Sequence, residues 1–177
     1  MKKFTFIIAF FLVTATQLVS AQSTEKKEKI MKDAEAAKGE FLASDWQMEK
    51  HFKNSHGYVI YPNVGKAGLG VGGASGNGVA YEGGVAIGMS KLSQLSIGFQ
   101  AGGQAYREIV FFENAKAMDR FKKNNFEFAA QASAVAATAG ASADAKFSDG
   151  VLVFTMQKGG LMYEASVGGQ KLKFDSF

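Results

Sequence analysis

Gly65-Lys66-Ala67-Gly68-Leu69-Gly70-Val71-Gly72-Gly73-Ala74-Ser75-Gly76-Asn77-Gly78-Val79 is the stretch on which the fold turns. Fourteen of the chain's 21 glycines lie between Gly57 and Gly103, so backbone geometry governs this region. Gly68 to Gly73 satisfies G-x-G-x-x-G, the glycine pattern of a dinucleotide loop. That loop works only when a helix follows at once and aims its N-terminus at a pyrophosphate. Here Ala74-Ser75-Gly76-Asn77-Gly78 follows, which is turn chemistry, and no Asp or Glu stands about 20 residues on to hold a ribose. The glycines therefore read as accommodations for close strand packing. Asn77-Gly78 predicts a hairpin turn, because both residues tolerate positive φ.

Working outward, Gly57-Tyr58-Val59-Ile60-Tyr61 reads as a strand stopped by Pro62, the only proline. Val79 and Tyr81 alternate with Ala80 and Glu82, and Leu95, Ile97, Phe99 and Ala101 with small or polar partners. Both patterns describe a sheet with one buried face. Ile109-Val110-Phe111-Phe112, bracketed by Glu108 and Glu113, is apolar throughout and predicts a strand covered on both faces. Asn114 caps a short helix to about Lys123, with Ala117, Met118 and Phe121 inward. Phe126, Phe128, Ala130 and Ala132 begin an alternating strand that continues to about Ala139, with a turn at Gly140. Val151–Met156 and Leu161–Val167 read as a last hairpin, and Lys171–Phe174 as a terminal edge.

N-terminal to the glycine region the period changes. Ile30, Ala34, Ala37 and Phe41 mark one helical face, and Gln22–Lys29 reads as its frayed, charged start. A second helix begins at Ser44, where Ser44 and Gln47 have capping-box spacing; Trp46, Met48 and Phe52 are its apolar contacts, and Gly57 ends it. Before this, Lys2 and Lys3, the apolar run Phe4–Val13 and the small-residue pattern Val19-Ser20-Ala21 form the three-part layout of a secretory signal peptide. The expectation is residues 1–21 as signal peptide and 22–177 as one exported, periplasmic domain, soluble or peripherally attached to a membrane. Its fold class is α+β: a glycine-rich, predominantly antiparallel sheet with two N-terminal helices and one short internal helix. With no cysteine in the chain, packing and hydrogen bonds alone must stabilise it.

Chemistry is sparse. The net charge is only +4, too weak a bias for nucleic-acid binding. The two histidines, His51 and His56, are five residues apart and do not share a helical face as an i, i+4 metal pair would. Gly73-Ala74-Ser75-Gly76 begins like a nucleophile elbow but Asn77 replaces the closing glycine, and no histidine lies downstream. No carboxylates mark an acid/base pair. The reading is a binding protein with no catalytic residues, no metal and no cofactor. Its candidate contacts are basic: Arg120, Lys122 and Lys123 around Phe121, and Lys66 and Lys158 in two similar lysine-glycine turns, which Lys171 and Lys173 join if those turns are neighbours. Lys26, Lys27, Lys29 and Lys32 are offset by Glu25, Glu28, Asp33 and Glu35. An anionic membrane surface gains about 1 kcal/mol per nearby Lys or Arg.

Taken in order, Gly57–Pro62, Gly65–Gly73, Gly76–Val79, Ile97–Gln104, Gln131–Ala137 and Lys158–Leu161 through Ala165–Gly169 resemble the SYLF domain across about Ala43 to Phe174. The resemblance implies a lipid-binding module: eukaryotic relatives bind phosphoinositides, and some bind actin filaments, whereas bacterial relatives are exported. This chain resembles the bacterial branch, yet Val85–Gln94 lacks the tryptophan-serine-x-proline segment expected there. A periplasm offers neither actin nor phosphoinositides, so the expected partner is an anionic phospholipid or membrane surface, bound through Arg120, Lys122, Lys123, Lys66 and Lys158. The alternatives are a structural or protein-interaction module meeting an envelope protein, and a small-molecule pocket within the sheet.

Overall fold

The computed structural model describes residues 2–124, 126–129, 134–158 and 169–177. Helix α1 runs Lys2–Ser44, a 3₁₀ turn Trp46–Met48 and helix α2 Glu49–Asn54. Strands β1 (Gly57–Glu82) and β2 (Val85–Phe112) follow, then helix α3 (Ala115–Lys122) and strands β3 (Phe126–Ala129), β4 (Ala134–Ala136), β5 (Val151–Gln157) and β6 (Gly169–Ser176). The class is α+β and the sheet is mostly antiparallel, with order β3-β6-β2-β5-β4 and β1 also paired to β2; among the described residues only β4–β5 is parallel.

The organising feature is one very long hairpin, β1–β2, folded back on itself. Gln94 and Glu108 lie on the same strand and would stand roughly 45 Å apart if it were straight. Yet the side-chain amide of Gln170 on β6 reaches both. Strand β1 doubles back in step: a Cβ on Gly57 would strike the Tyr81 carbonyl, and one on Gly76 the Asn63 carbonyl. The glycine-rich middle of the hairpin is where the fold-back occurs. In this way β2 pairs β6 through Gly88–Gln94 and β5 through Tyr106–Phe112.

Folding the hairpin creates two cores. Val59, Tyr61, Leu92, Tyr106, Val110, Phe112, Val153 and Leu172 fill the inside of the curl, closed by Met118 and Phe121 of α3. The alternate residues Tyr58, Ile60, Val79, Tyr81, Ile109, Phe111 and Phe154 face out, under Ala34, Ala37 and Phe41 of α1 and Met48. Strand Ile109–Phe112 is covered on both faces, as its unbroken apolar run predicts.

Several local expectations change. The turn is not at Asn77-Gly78: Asn77 pairs with Lys91 and Gly78 with Ser90 inside the ladder. The chain reverses at Gly83-Gly84, with φ of 57° and 82°, the positive values a two-residue hairpin requires. Gly78 is glycine because the Ile60 carbonyl and Tyr61 ring come within van der Waals contact of where a Cβ would sit. Pro62 does not stop β1; it falls in the register shift between Tyr61 and Val64, where the ladder needs no N–H. Helix α1 is continuous through Gln22–Lys29 rather than frayed, with Lys29 paired to Asp33 one turn on at 2.6 Å. Ser44 does not cap the next helix. Its hydroxyl donates to the Ala137 carbonyl (3.2 Å), and buried Asp45 accepts from the backbone N–H of Gln47 (3.1 Å). Asp45 also accepts from the Ser142 N–H (2.8 Å), and His51 Nε2 lies 3.0 Å from the Ser142 carbonyl, pinning the loop beyond β4. Strand β6 is internal, between β3 and β2, not an edge. Asn114 does cap α3, accepting from Ala117 N–H at 3.1 Å. The expected strand Leu161–Val167, and Ala130 and Ala132, lie outside the described residues.

The fold-back makes one substitution take opposite signs at two glycines. Gly39 is exposed in α1 with open space around it, so Gly39→Ala is expected to stabilise by about 0.5–1 kcal/mol. Gly78→Ala forces a methyl into backbone and is expected to cost about 3 kcal/mol or more. Urea unfolding of the two variants side by side measures the contrast; equal effects would mean that the halves of β1 are not in contact.

Candidate functional site

Of the basic residues singled out from sequence, Arg120 and Lys122 are tethered to carboxylates. The guanidinium of Arg120 is spent on Asp149, with Nη1 3.0 Å from Oδ2 and Nη2 donating to the Asp149 carbonyl, and it lies 5.2 Å over the Phe126 ring. Lys122 donates to both carboxylate oxygens of Glu82 at 2.8 Å, and His56 Nε2 approaches the same group at 3.1 Å. The Lys122 hydrogen bond holds the Glu82 carboxyl below its ordinary range. These two cations therefore brace α3 against the turn before β5 and the end of β1. Lys123 is exposed and precedes Asn124, whose amide clasps the backbone N–H and carbonyl of Phe174.

Lys66 and Lys158 come to the same level of the sheet. Ala105 on β2 pairs with Gly65 on one side and accepts from the Lys158 N–H (3.0 Å) on the other. Lys171 and Lys173 take other positions: Lys171 pairs with Glu127 at 2.7 Å, and Lys173 stands opposite Lys91.

That last pairing marks a site the sequence did not reveal. Asn77, Lys91 and Lys173 follow one another in register across β1, β2 and β6, so their side chains share a face. Lysines directly opposite in a sheet repel, and nature normally separates or neutralises them. Here α1 passes overhead and adds two more, Lys26 and Lys27. The helix and the sheet enclose a cleft of about 630 Å³ between them, with Ile30, Met89 and Phe174 as apolar wall. Asp175 is the one carboxylate in its lining. All four lysines are exposed, and none forms an ion pair with a described residue. Asn124 lines the same cleft, which puts Lys123 at its border.

The arrangement concentrates positive charge beside apolar surface, the combination that suits an anion carried on a greasy stem. Sequence reasoning named Lys26, Lys27 and Lys173 but balanced the first two against neighbouring acids and grouped the third with Lys66 and Lys158. Lys91 was missed altogether. Its only local signal is alternation with buried Ser90 and Leu92 in β2; what matters is the strand opposite.

A family model described as Ysc84, Las17-binding protein actin regulator, matches residues 93–176. No curated protein matches the chain. The matched segment carries the second half of β2, α3 and β3–β6, with Lys173 inside it and Lys26, Lys27 and Lys91 before it. The match over residues 93–176 agrees with the SYLF-domain resemblance of the glycine and alanine motifs.

Proposed function

We propose that this protein is a non-catalytic module that binds anionic phospholipid headgroups at a membrane surface. One observation carries the reading: four exposed lysines, two from α1 and two facing each other across β2–β6, converge on one partly apolar cleft. Holding Lys91 opposite Lys173 costs the fold some stability, and an anion between them removes that cost. Lys123 extends the cleft's border, and Lys66 with Lys158 forms a second basic contact. Arg120 and Lys122, already bound to carboxylates, brace the fold in this reading. The family match supports a binding role, since SYLF domains are associated with lipid or actin-related binding. Read with its signal-peptide-like start, the chain is an exported protein of the cell envelope, where phosphatidylglycerol or cardiolipin supplies the anion.

Vesicle flotation tests this directly. Binding to phosphatidylglycerol vesicles at low salt, lost at about 0.5 M salt and absent on phosphatidylcholine, is the expected pattern. Equal binding to both lipids, or none to either, rules the reading out.

A further inference from the structure

A second cleft, of about 540 Å³, opens at the N-terminal end of β6, lined by Ser93, Gln94, Leu95, Glu127, Gln170 and Lys171. Its charged pair, Lys171 and Glu127, is self-neutralised at 2.7 Å. Its floor is two buried amides, Gln94 at 4 % and Gln170 at 1 % exposure. Behind them, inside the curl, lies Glu108, which is fully buried.

The hydrogen bonds here are one-sided. Gln170 Nε2 donates to Gln94 Oε1 (3.3 Å) and to Glu108 Oε2 (2.9 Å), which uses both of its hydrogens. With Glu108 ionised, turning the amide over would set its oxygen against the carboxylate, which favours this orientation. Gln170 Oε1 and Glu108 Oε1 are then left, buried and without a hydrogen-bond partner among the described residues. Thr155, directly opposite Glu108 in register, and Gln157, opposite Tyr106, each leave a buried oxygen in the same condition. Among the described residues, Gln170, Thr155, Gln157 and the Glu108 carboxylate itself each keep a buried oxygen with no hydrogen-bond partner. No described lysine, arginine or histidine pairs with Glu108. The other titratable groups facing it, Tyr61 and Tyr106, are phenols that burial keeps neutral, and a phenol carries no positive charge in either state.

What the site lacks is a compact positive group rich in N–H donors. A phosphate would add acceptors to acceptors, and a quaternary ammonium has no N–H to give. We propose that this cleft binds a primary ammonium group, on a free small amine or on a lipid headgroup, with Gln170 Oε1 on its floor as acceptor and the Glu108 carboxylate behind that floor as counter-charge. The proposal is independent of the lysine cleft, which lies toward the other end of β6 and recognises the opposite charge.

The test is thermal unfolding of the full chain at pH 8 with ethanolamine or choline, and with phosphatidylethanolamine or phosphatidylcholine vesicles. Ethanolamine near saturation is expected to raise Tm by roughly 5 °C, with no response to choline. A response to both ethanolamine and its lipid indicates a site for the amine itself, and one to the lipid alone a headgroup site; either supports the proposal. Glu108→Gln, which keeps the shape and the Gln170 hydrogen bond, is expected to fold and to lose the response. A Lys26→Glu, Lys27→Glu variant is expected to keep it while losing anionic vesicles, so failure of one reading leaves the other distinguishable. No amine response, an equal response to choline, a response retained in Glu108→Gln, or the same Glu108-dependent shift with calcium or sodium in place of the amine overturns it.

Discussion

Replacing Glu108 with glutamine is expected to raise the melting temperature at pH 8 by about 10 °C and to leave it unchanged near pH 4. Glu108 is wholly inside the curl, and burial pushes its carboxyl up to about 8 against an ordinary 4.5; the Gln170 hydrogen bond recovers only part. The folded state therefore prefers the protonated acid. Because the folded value lies above the unfolded one, stability is complete below about pH 4.5 and drains away as pH rises to about 8. Each pH unit in that window costs at most about 1.4 kcal/mol, so the total is on the order of 4 kcal/mol. Glutamine keeps an acceptor for Gln170 and has no charge to desolvate. Melts of both proteins across pH 4–8.5 should diverge steadily above pH 5. Parallel curves would show that Glu108 reaches solvent, and with it that the β2 fold-back does not seal the interior.

The lysine cleft yields the second large effect, in which stability and binding move in opposite directions. Lys91→Glu turns a repulsive cross-strand pair with Lys173 into an attractive one and is expected to stabilise the fold by roughly 0.5 kcal/mol. The same change removes one positive charge from the cleft and adds a negative one. At about 1 kcal/mol per charge near an anionic surface, affinity for phosphatidylglycerol vesicles should fall about 30-fold. Lys91 is exposed, so misfolding offers no escape from the result. Weaker binding in a variant that melts no lower separates function from stability. Unchanged binding would move the membrane contact elsewhere, to Lys66 and Lys158 first.

Sulfate or phosphate binding at the lysine cleft would by itself be expected to stiffen β6 against β2, since the two facing ammonium groups then share a counter-ion. The amine cleft, by contrast, acts on the interior of the curl. Together they would let one module meet both charges of a zwitterionic or mixed membrane, each through a separate set of side chains.

The elements of the fold were mostly written locally. Alternation at Tyr58–Tyr61 and the unbroken Ile109–Phe112 run specify strands, because a side chain every second residue must find apolar cover. The Asn114 cap and the inward triad Ala117, Met118 and Phe121 specify α3. The meaning of the glycines as backbone accommodations was legible too, but not which glycines did what. Asn77-Gly78 has the chemistry of a turn, and only the opposed half of β1 shows that Gly78 is glycine to let the Ile60 carbonyl pass. That contact joins residues far apart in sequence, and no local propensity encodes it.

The sites belong entirely to tertiary structure. Arg120 and Lys122 look like an open basic cluster along the chain, yet Asp149 and Glu82 arrive from other elements to occupy them. Lys91 and Lys173 look unrelated until β6 pairs with β2. Glu108 reads as the polar border of an apolar strand, and becomes a buried acid only because the hairpin folds over it. The sequence by itself determined the strands at Tyr58–Tyr61 and Ile109–Phe112, helix α3 and the resemblance that the match at residues 93–176 bears out. Which charges meet, which are cancelled and which are sealed from water was decided when the long hairpin bent, because Coulomb and desolvation energies depend on distances through space that spacing along the chain does not contain.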